Sequence, residues 1–480
     1  MSFNLIQRIG MHQMHTVQKH ALKNHTHALP FKWSVLGMAL SVMVLSPSIA
    51  AEYSSNLNQS SLDTAQRNVN FEQALNQVRA YQNLQSSWKT QQQMANAQLK
   101  QSALWVNPTL SVEQTGLQSD QSKELAIGIS QPLDVFGQRR ANQKVAELSF
   151  DQLGLDQQRY DAELELIVQY LWSQVALLQL EKSVIVEQRQ VSQQNLDASE
   201  KRYQAGSIAQ VDVDRVRIAH LENQRIEQQA DLQLQVAQQK LASLWGESNY
   251  SFAISPNPTE LWTQAVRIQT LPEQNKNLFE RGLQLDTQRQ QAQIEQLKAQ
   301  SRPQPTLTLG INRTQSADQN SENQIRVGVA IPLNIFNSQK YGIQIAAAKQ
   351  TLIQQQQRFY RQQNQLDIDV RIAELKGLQA QFQQLNTQQI PLAIQVQQKI
   401  LQGFRLGKFA VTDVQQATSQ LQEVRLRKVQ LLKQAWQLSI EVQSAGMGLS
   451  VDQITAKDAL LQLNQRMWQQ ANAFPNQVGE

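Results

Sequence analysis

Apolar residues follow two different periods along this chain. Four short segments alternate with period two. Leu110 and Val112 stand between Thr109, Ser111 and Glu113, and Leu125, Ile127 and Ile129 between Glu124, Ala126, Gly128 and Ser130. Leu307, Leu309 and Ile311 stand between Thr306, Thr308, Gly310 and Asn312, and Ile325, Val327, Val329 and Ile331 between Gln324, Arg326, Gly328 and Ala330. One face of each segment is apolar and the other polar or small, which predicts β-strands over about 109–116, 124–131, 306–313 and 324–331. Polar stretches at 118–123 and 315–323 join them as two hairpins. Alternation fits a soluble sheet that buries one face, or a membrane strand that gives that face to lipid. With its flanks, each segment reaches the roughly 9–11 residues that a tilted membrane strand needs. Four strands cannot close a barrel, and open edges are not tolerated in lipid, so the membrane alternative requires several chains.

The second period is helical. Between 137 and 202 there is no Pro and one interior Gly, Gly154, while Leu164, Ile167, Val168, Leu171, Val175 and Leu178 recur at helical spacing. The stretch 337–404 is similar, interrupted by Gly342, Gly377, Pro391 and Gly403. About 65 residues at 1.5 Å each span roughly 100 Å, longer than a globular domain needs. Return helices are predicted over about 211–245 and 411–445. They give two helical hairpins, about 137–245 and 337–445, with bends near Gly206 and Gly407. The clusters Gln91–Gln93 and Gln354–Gln357 lie inside this periodicity and read as solvated helix faces.

The two halves repeat one unit. Asn107-Pro-Thr-Leu-Ser-Val and Ile129-Ser-Gln-Pro-Leu-Asp-Val-Phe136 match Gln304-Pro-Thr-Leu-Thr-Leu and Ala330-Ile-Pro-Leu-Asn-Ile-Phe336. Tyr203-Gln-Ala-Gly206 with Asp212-Val213 matches Phe404-Arg-Leu-Gly407 with Asp413-Val414. The offsets Pro108 to Pro305, Pro132 to Pro332 and Gly206 to Gly407 are 197, 200 and 201 residues, in the same order. The four prolines mark junctions between helix and strand, where a missing N–H and a restricted preceding residue do no harm.

The N-terminus is a separate object. Lys19, Lys23 and Lys32 precede an apolar run from Trp33 to Leu45, followed by Ser48-Ile49-Ala50. This predicts a secretory signal over 1–50, cleaved after Ala50, with Met11 and Met14 as alternative starts. Four of the 44 basic residues and none of the 39 acidic ones lie in it, which leaves 40 against 39 in the mature chain. The net charge of +5 therefore says little about the mature surface, and nucleic-acid binding loses its support. Five of six His (His12, His15, His20, His25, His27) also belong to the signal, and His220 is expected on a helix surface. With no Cys there is no disulfide, no thiolate metal site and no N-terminal acylation, so the chain is not expected to be a lipoprotein. No apolar run is long enough for a membrane-spanning helix in the mature chain. The expected organisation is signal 1–50, first repeat 51–276 with an N-terminal helix and an equatorial connection, second repeat 277–446, and an equatorial tail 447–480.

From about Phe71 to Gly446 the chain resembles the TolC-type outer-membrane efflux family. The resemblance is carried by the duplication, by the strand wording 107–112 and 131–137, and most specifically by Arg202-Tyr-Gln-Ala-Gly206…Asp212-Val213. It implies a mainly helical fold with membrane β: a homotrimer whose twelve strands form one barrel, continued by a periplasmic α-helical barrel. It further implies a Gram-negative outer-membrane location in contact with lipid, a periplasmic adaptor protein, and an inner-membrane pump, of the resistance-nodulation-division type. The wording after the strands looks most like the heavy-metal cation (cobalt–zinc–cadmium) branch.

By the same resemblance, Arg202, Tyr203, Gly206, Phe404 and Gly407 lie at the tips that meet the adaptor, with an exposed aromatic beside a sharp turn. Turn chemistry alone also accounts for the two glycines. Asp212, Asp214 and Asp413 follow the bends. Repeated in a trimer they could ring a pore with negative charge, or they could simply stabilise helix N-termini. No catalytic arrangement, cofactor motif or soft metal site emerges, so no enzyme is expected. The function expected is a passive exit duct, for heavy-metal cations first. The alternatives are a duct for drugs or other small molecules, a protein-secretion duct, and a soluble periplasmic coiled-coil adaptor.

Overall fold

The computed structural model describes residues 67–116, 122–247, 252–254, 277–315 and 321–472. All belong to one of the chain's two units, Thr64–Glu480. The other unit, Met1–Asp63, lies outside the described residues, and with it the signal segment and its cleavage position. So do both hairpin connections, most of the link 248–276 and the last residues of the tail.

The first repeat runs β1 (Arg67–Asn68), α1 (Phe71–Gln85), α2 (Trp88–Ser102), β2 (Thr109–Thr115), β3 (Lys123–Pro132), α3 (Gln138–Gln204), α4 (Gln210–Ser243) and β4 (Phe252–Ala253). The second runs α5 (Leu278–Gln300), β5 (Thr306–Gln315), β6 (Ser321–Ala330), α6 (Lys340–Gln384), a π-helical turn (Leu385–Gln389), α7 (Ile390–Arg405) and α8 (Val411–Met447). Two short helices follow, α9 (Val451–Thr455) and α10 (Ala459–Asn472). Where one N-terminal helix was expected, there are two. Ser86 is extended and its Oγ donates to the Asn83 carbonyl at 3.0 Å, while Ser87 Oγ accepts from Gln91 Nε2 at 2.7 Å. Serine hydroxyls compete for backbone and neighbouring groups in this way and end a helix whose apolar spacing continues beyond them.

The four long strands form one antiparallel sheet in the order β2-β3-β5-β6. Val112 faces Ile127, Ile127 faces Ile311, and Ile311 faces Ile325; one row away, Leu110, Ile129, Leu309 and Val327 face one another in turn. The period of two thus places every large apolar residue on one face, and that face is exposed. The opposite face carries Ser130 and Thr308, hydroxyl to hydroxyl at 2.9 Å, and Asn312 donating to Glu124 at 2.9 Å. Within the chain, β2 and β6 each keep one unpaired edge.

The core sits lower, on α3. Leu166, Ile167 and Val168 are buried in succession, as are Val175, Ala176 and Leu177. Consecutive residues point about 100° apart, so α3 is covered on all sides here. α1, α4, α8, α9 and α10 pack on α3, and β1 pairs in parallel with β4 beside it. Trp88 meets Tyr160 edge to face at 5.6 Å, and the Tyr160 hydroxyl donates to Asn464 at 2.8 Å. Toward the far end of α3 the buried residues become sparse and mostly polar: Gln188, Ser192, Asn195 and Ser199, with Leu196 the apolar exception. There α3 and its neighbours are tied by Lys433–Glu181 at 2.6 Å, Arg425–Glu187 at 2.8 Å and Arg189–Glu227 at 2.6 Å. Such partly exposed pairs add at most about 1 kcal/mol each, so they fix register more than stability.

α3 and the α6–α7 stretch are counterparts, but only the second is interrupted. Pro391 supplies no N–H and crowds the carbonyl four residues back. The helix accommodates it by widening: Ile390 N–H bonds to the Leu385 carbonyl, five residues away.

Candidate docking tips

Each long hairpin turns by the same device. At the end of α3, Ser207 N–H bonds to the Arg202 carbonyl and Gly206 N–H to the Tyr203 carbonyl, both at 2.8 Å, with Gly206 at φ 71°. At the end of α7, Lys408 N–H bonds to the Gly403 carbonyl at 2.8 Å and Gly407 N–H to the Phe404 carbonyl at 3.0 Å, with Gly407 at φ 78°. These are Schellman turns, whose left-handed residue favours Gly. Ala209 and Ala410 then open α4 and α8 in extended conformation. Neither alanine carries a capping oxygen, so the first-turn carboxylates matter. Asp413 accepts from the Ala410 N–H at 2.8 Å, and Asp212 lies 3.6 Å from Arg215. Asp214 accepts from Gln210 at 3.0 Å and pairs with Arg217 at 3.4 Å. All three aspartates are half-buried.

The two tips lie together. Leu196, Val213, Val216, Phe404, Val411 and Val414 form one buried cluster from both repeats. This changes the role of Phe404. It was expected as an exposed aromatic matching Tyr203, but it is 2% exposed and Tyr203 is 44% exposed. The Phe404 ring fills the space between the repeats, and Arg202 closes over it. The guanidinium carbon stands 4.6 Å from the ring centroid, and an Nη donates to the Phe404 carbonyl at 3.4 Å. The exposed apolar residues of the second tip are Leu406 and Phe409. A side chain at Gly403 would strike the Phe409 ring, so Gly403 gives that ring its place. The pairing of Phe409 with Ile208 in the repeat alignment was the available signal for this residue. Beside the cluster, a groove of about 570 Å³ between α3, α4 and α8 is lined by Ser192, Asn195, Arg215, Asn223, Thr418 and Gln422.

His220 is a second correction. It is buried on α4, with Nδ1 2.9 Å from Ser192 Oγ and Nε2 2.9 Å from Gln224 Nε2. Ser192 of α3 lies across it, and the burial comes from that packing. Among the described residues, no group of three or more His, Cys, Asp and Glu side chains is arranged to hold a metal ion, and no helix is long and apolar enough to cross a membrane.

Residues 87–247 match the family described as Outer membrane efflux protein. The cobalt-zinc-cadmium resistance protein CzcC of Cupriavidus metallidurans is 24% identical over 314 residues, which are 65% of this chain and 74% of that protein. The outer membrane protein VceC of Vibrio cholerae superposes with a TM-score of 0.58 at 15% identity, over 79% of this chain and 96% of that chain. A structure of CusC superposes with a TM-score of 0.59 at 16% identity, over 79% and 92%. At these identities the two structures speak for the fold. With the duplicated unit, the four-stranded sheet and the long helical hairpins, these matches give the chain the protomer fold shared by VceC and CusC, and a stretch over 87–247 similar to the outer membrane efflux protein family.

Proposed function

We propose that this chain is the outer-membrane exit channel of a tripartite efflux assembly and works as a homotrimer. The observation that carries the reading is the sheet: its apolar face is uncovered and both its edges are open. Three copies supply twelve strands, which remove every edge and give the apolar face to lipid. The helices supply a matching argument. α6 exposes Ile345, Leu352, Phe359 and Leu366 at intervals of seven, and α4 exposes Val211, Ile218 and Leu232 in the same register. Seven-residue seams on the two outer helices suit helix-to-helix packing between copies. An adaptor with one helical hairpin and no membrane sheet has no use for such a face.

In this reading the helices continue the barrel through the periplasm, and a periplasmic adaptor meets the tips. Tyr203, Leu406 and Phe409 offer contact area, Gly206 and Gly407 shape the turns, and Arg202 with Phe404 holds the two tips as one surface. An inner-membrane pump, of the resistance-nodulation-division type, supplies the energy. Asp212, Asp214 and Asp413 are candidates for a pore-lining charge ring. Asp413 is the weakest of the three, since its carboxylate already caps α8. The likeness to a cobalt-zinc-cadmium resistance protein supports heavy-metal cations as cargo. A duct that passes such ions without a tight site releases them quickly.

The test is reconstitution of the mature chain in planar bilayers, with a deletion strain challenged by zinc, cobalt and cadmium. Discrete conductance steps and metal sensitivity rescued by the wild-type gene are expected. A monomer without conductance, recovered from the soluble periplasm, would overturn the channel. Unchanged metal tolerance with intact conductance would overturn the cargo alone.

A further inference from the structure

At the helical end of the sheet, four junctions (102–108, 131–140, 300–305 and 331–340) form a collar that the efflux reading leaves unused. It exposes Leu104, Trp105, Val106, Val135, Phe136, Leu333, Ile335 and Phe336, the last completely. This strip continues the apolar face of the strands at Leu110, Ile129, Leu309 and Val329, so whatever covers that face reaches the collar too.

The collar is also cationic. Its segments hold Arg139, Arg140, Arg302 and Lys340 against one acid, Asp134. Asp134 is engaged, accepting from the backbone N–H of Gln138 at 2.7 Å and of Arg139 at 3.0 Å. Two of the cations stand on exposed rings: Arg139 lies 4.4 Å from the Trp105 centroid and Arg302 lies 5.5 Å from that of Phe136. A guanidinium over a ring keeps its in-plane N–H groups free for a planar or tetrahedral oxyanion. Arg139 uses one of them weakly, on the Ala103 carbonyl at 3.4 Å. Among the described residues, Arg302 makes no side-chain hydrogen bond or ion pair. Beside Arg139 a recess of about 160 Å³ is lined by Ser102, Trp105, Pro132 and Gln304.

The geometry points to a binding site for a glycerophospholipid of the periplasm-facing leaflet, its phosphodiester on Arg139 and Arg302 and its acyl chains along Trp105, Val106 and the strand face. The inference rests on the outer-membrane reading. Free phosphate would satisfy the arginines and leave the apolar strip bare. A neutral diacyl lipid would cover the strip and leave the arginines without an anion. Only an amphiphile with both parts meets both halves of the collar.

The probes are palmitoyl-oleoyl phosphatidylglycerol, the matching diacylglycerol, inorganic phosphate and lipopolysaccharide, each titrated into the delipidated full-length mature protein and followed by native mass spectrometry. The wild-type protein is expected to prefer phosphatidylglycerol over diacylglycerol by about tenfold or more. Arg139→Gln with Arg302→Gln is expected to reduce that preference to about twofold or less, and Arg217→Gln at the tip to leave it unchanged. If the double variant does not assemble, Arg302→Gln alone serves, because that side chain stands over Phe136 and its loss breaks no hydrogen bond or ion pair among the described residues, and it should lower the preference by several-fold. Equal binding of both lipids by the wild-type protein, displacement by inorganic phosphate, or selective binding of lipopolysaccharide overturns the site. Conductance recorded on the same sample separates the two failures. A conducting protein without lipid preference loses only this inference, and a protein that neither inserts nor conducts loses the channel as well.

Discussion

Phe404 and Tyr203 occupy equivalent positions in the two repeats and do opposite work. Phe404→Ala opens the buried cluster shared by both tips and should cost about 3–5 kcal/mol of local stability. Tyr203→Ala removes an exposed ring and should change stability by less than about 0.5 kcal/mol while weakening adaptor capture. Hydrogen exchange at 196–216 and 400–414, with adaptor binding measured on the same variants, separates the two effects. Equal behaviour of the two variants would contradict the assignment. The equivalence was legible from the repeat, since the Tyr203 and Phe404 motifs align with no gap. The difference was not, because burial at the tip depends on the other hairpin, some 200 residues away in sequence. His220 escaped for the same reason: α3 covers it, and nothing next to it in the chain announces that.

A second residue-scale prediction concerns pH. Asp156, Asp161 and Glu163 cluster on α3, and burial raises all three carboxyl pKa values above the ordinary range, more than Arg159, Arg79 and Arg466 respectively lower them. The folded chain therefore holds these protons at pH values where the unfolded chain has released them. Stability from this source falls as pH rises from the ordinary carboxylate value through the raised folded values, and returns on acidification. The melting temperature should rise as the pH is lowered from neutrality toward the ordinary carboxylate value of about 4, and Asp156→Asn with Asp161→Asn should flatten that rise. An identical profile in the double variant would contradict it. Tyr160, in the same buried patch, has its hydroxyl pushed up to about 12 and stays protonated across this range.

At the scale of elements, the counterpart helices differ in one place. α3 runs 67 residues without a break, whereas α6 and α7 meet at the π-helical turn before Pro391. Lys428 of α8 supports that turn, donating to Asn386 at 2.7 Å and lying 5.5 Å from the Phe382 ring. Pro391→Ala restores the missing N–H and lets the turn close to α-geometry. A gain of about 1–3 kcal/mol is expected in that stretch, seen as slower amide exchange at 382–394. Faster exchange would show that the bulge has a cause other than the proline. Helix existence was legible here because apolar spacing persists over many turns. Pro391 was legible as an interruption, but whether a helix kinks or widens at proline depends on the neighbours it must keep. The split between α1 and α2 was hidden for a related reason, since apolar spacing carries across two serines that turn the chain.

At the scale of the molecule, strand alternation and the prolines at the junctions carried most of the architecture, because period two and restricted backbones act locally. How the two repeats share one sheet and one pair of tips comes from contacts between them. Those same contacts make a statement about neighbouring copies. The repeat offsets map β3 onto β6 and β5 onto β2. The pairing of Ile129 with Leu309 inside the chain therefore predicts Val329 opposite Val112 of the next copy, both on the apolar face. The chain has no native Cys, so the contact can be tested without background. Val112→Cys with Val329→Cys, expressed in the full chain and oxidised in the outer-membrane fraction, should give a covalent trimer that reduction returns to monomer. The register-shifted pair Val112→Cys with Gly328→Cys, whose side chains point to opposite faces, should not. Monomer alone from the first pair, or equal cross-linking from both, would contradict a barrel closed by three copies of this sheet.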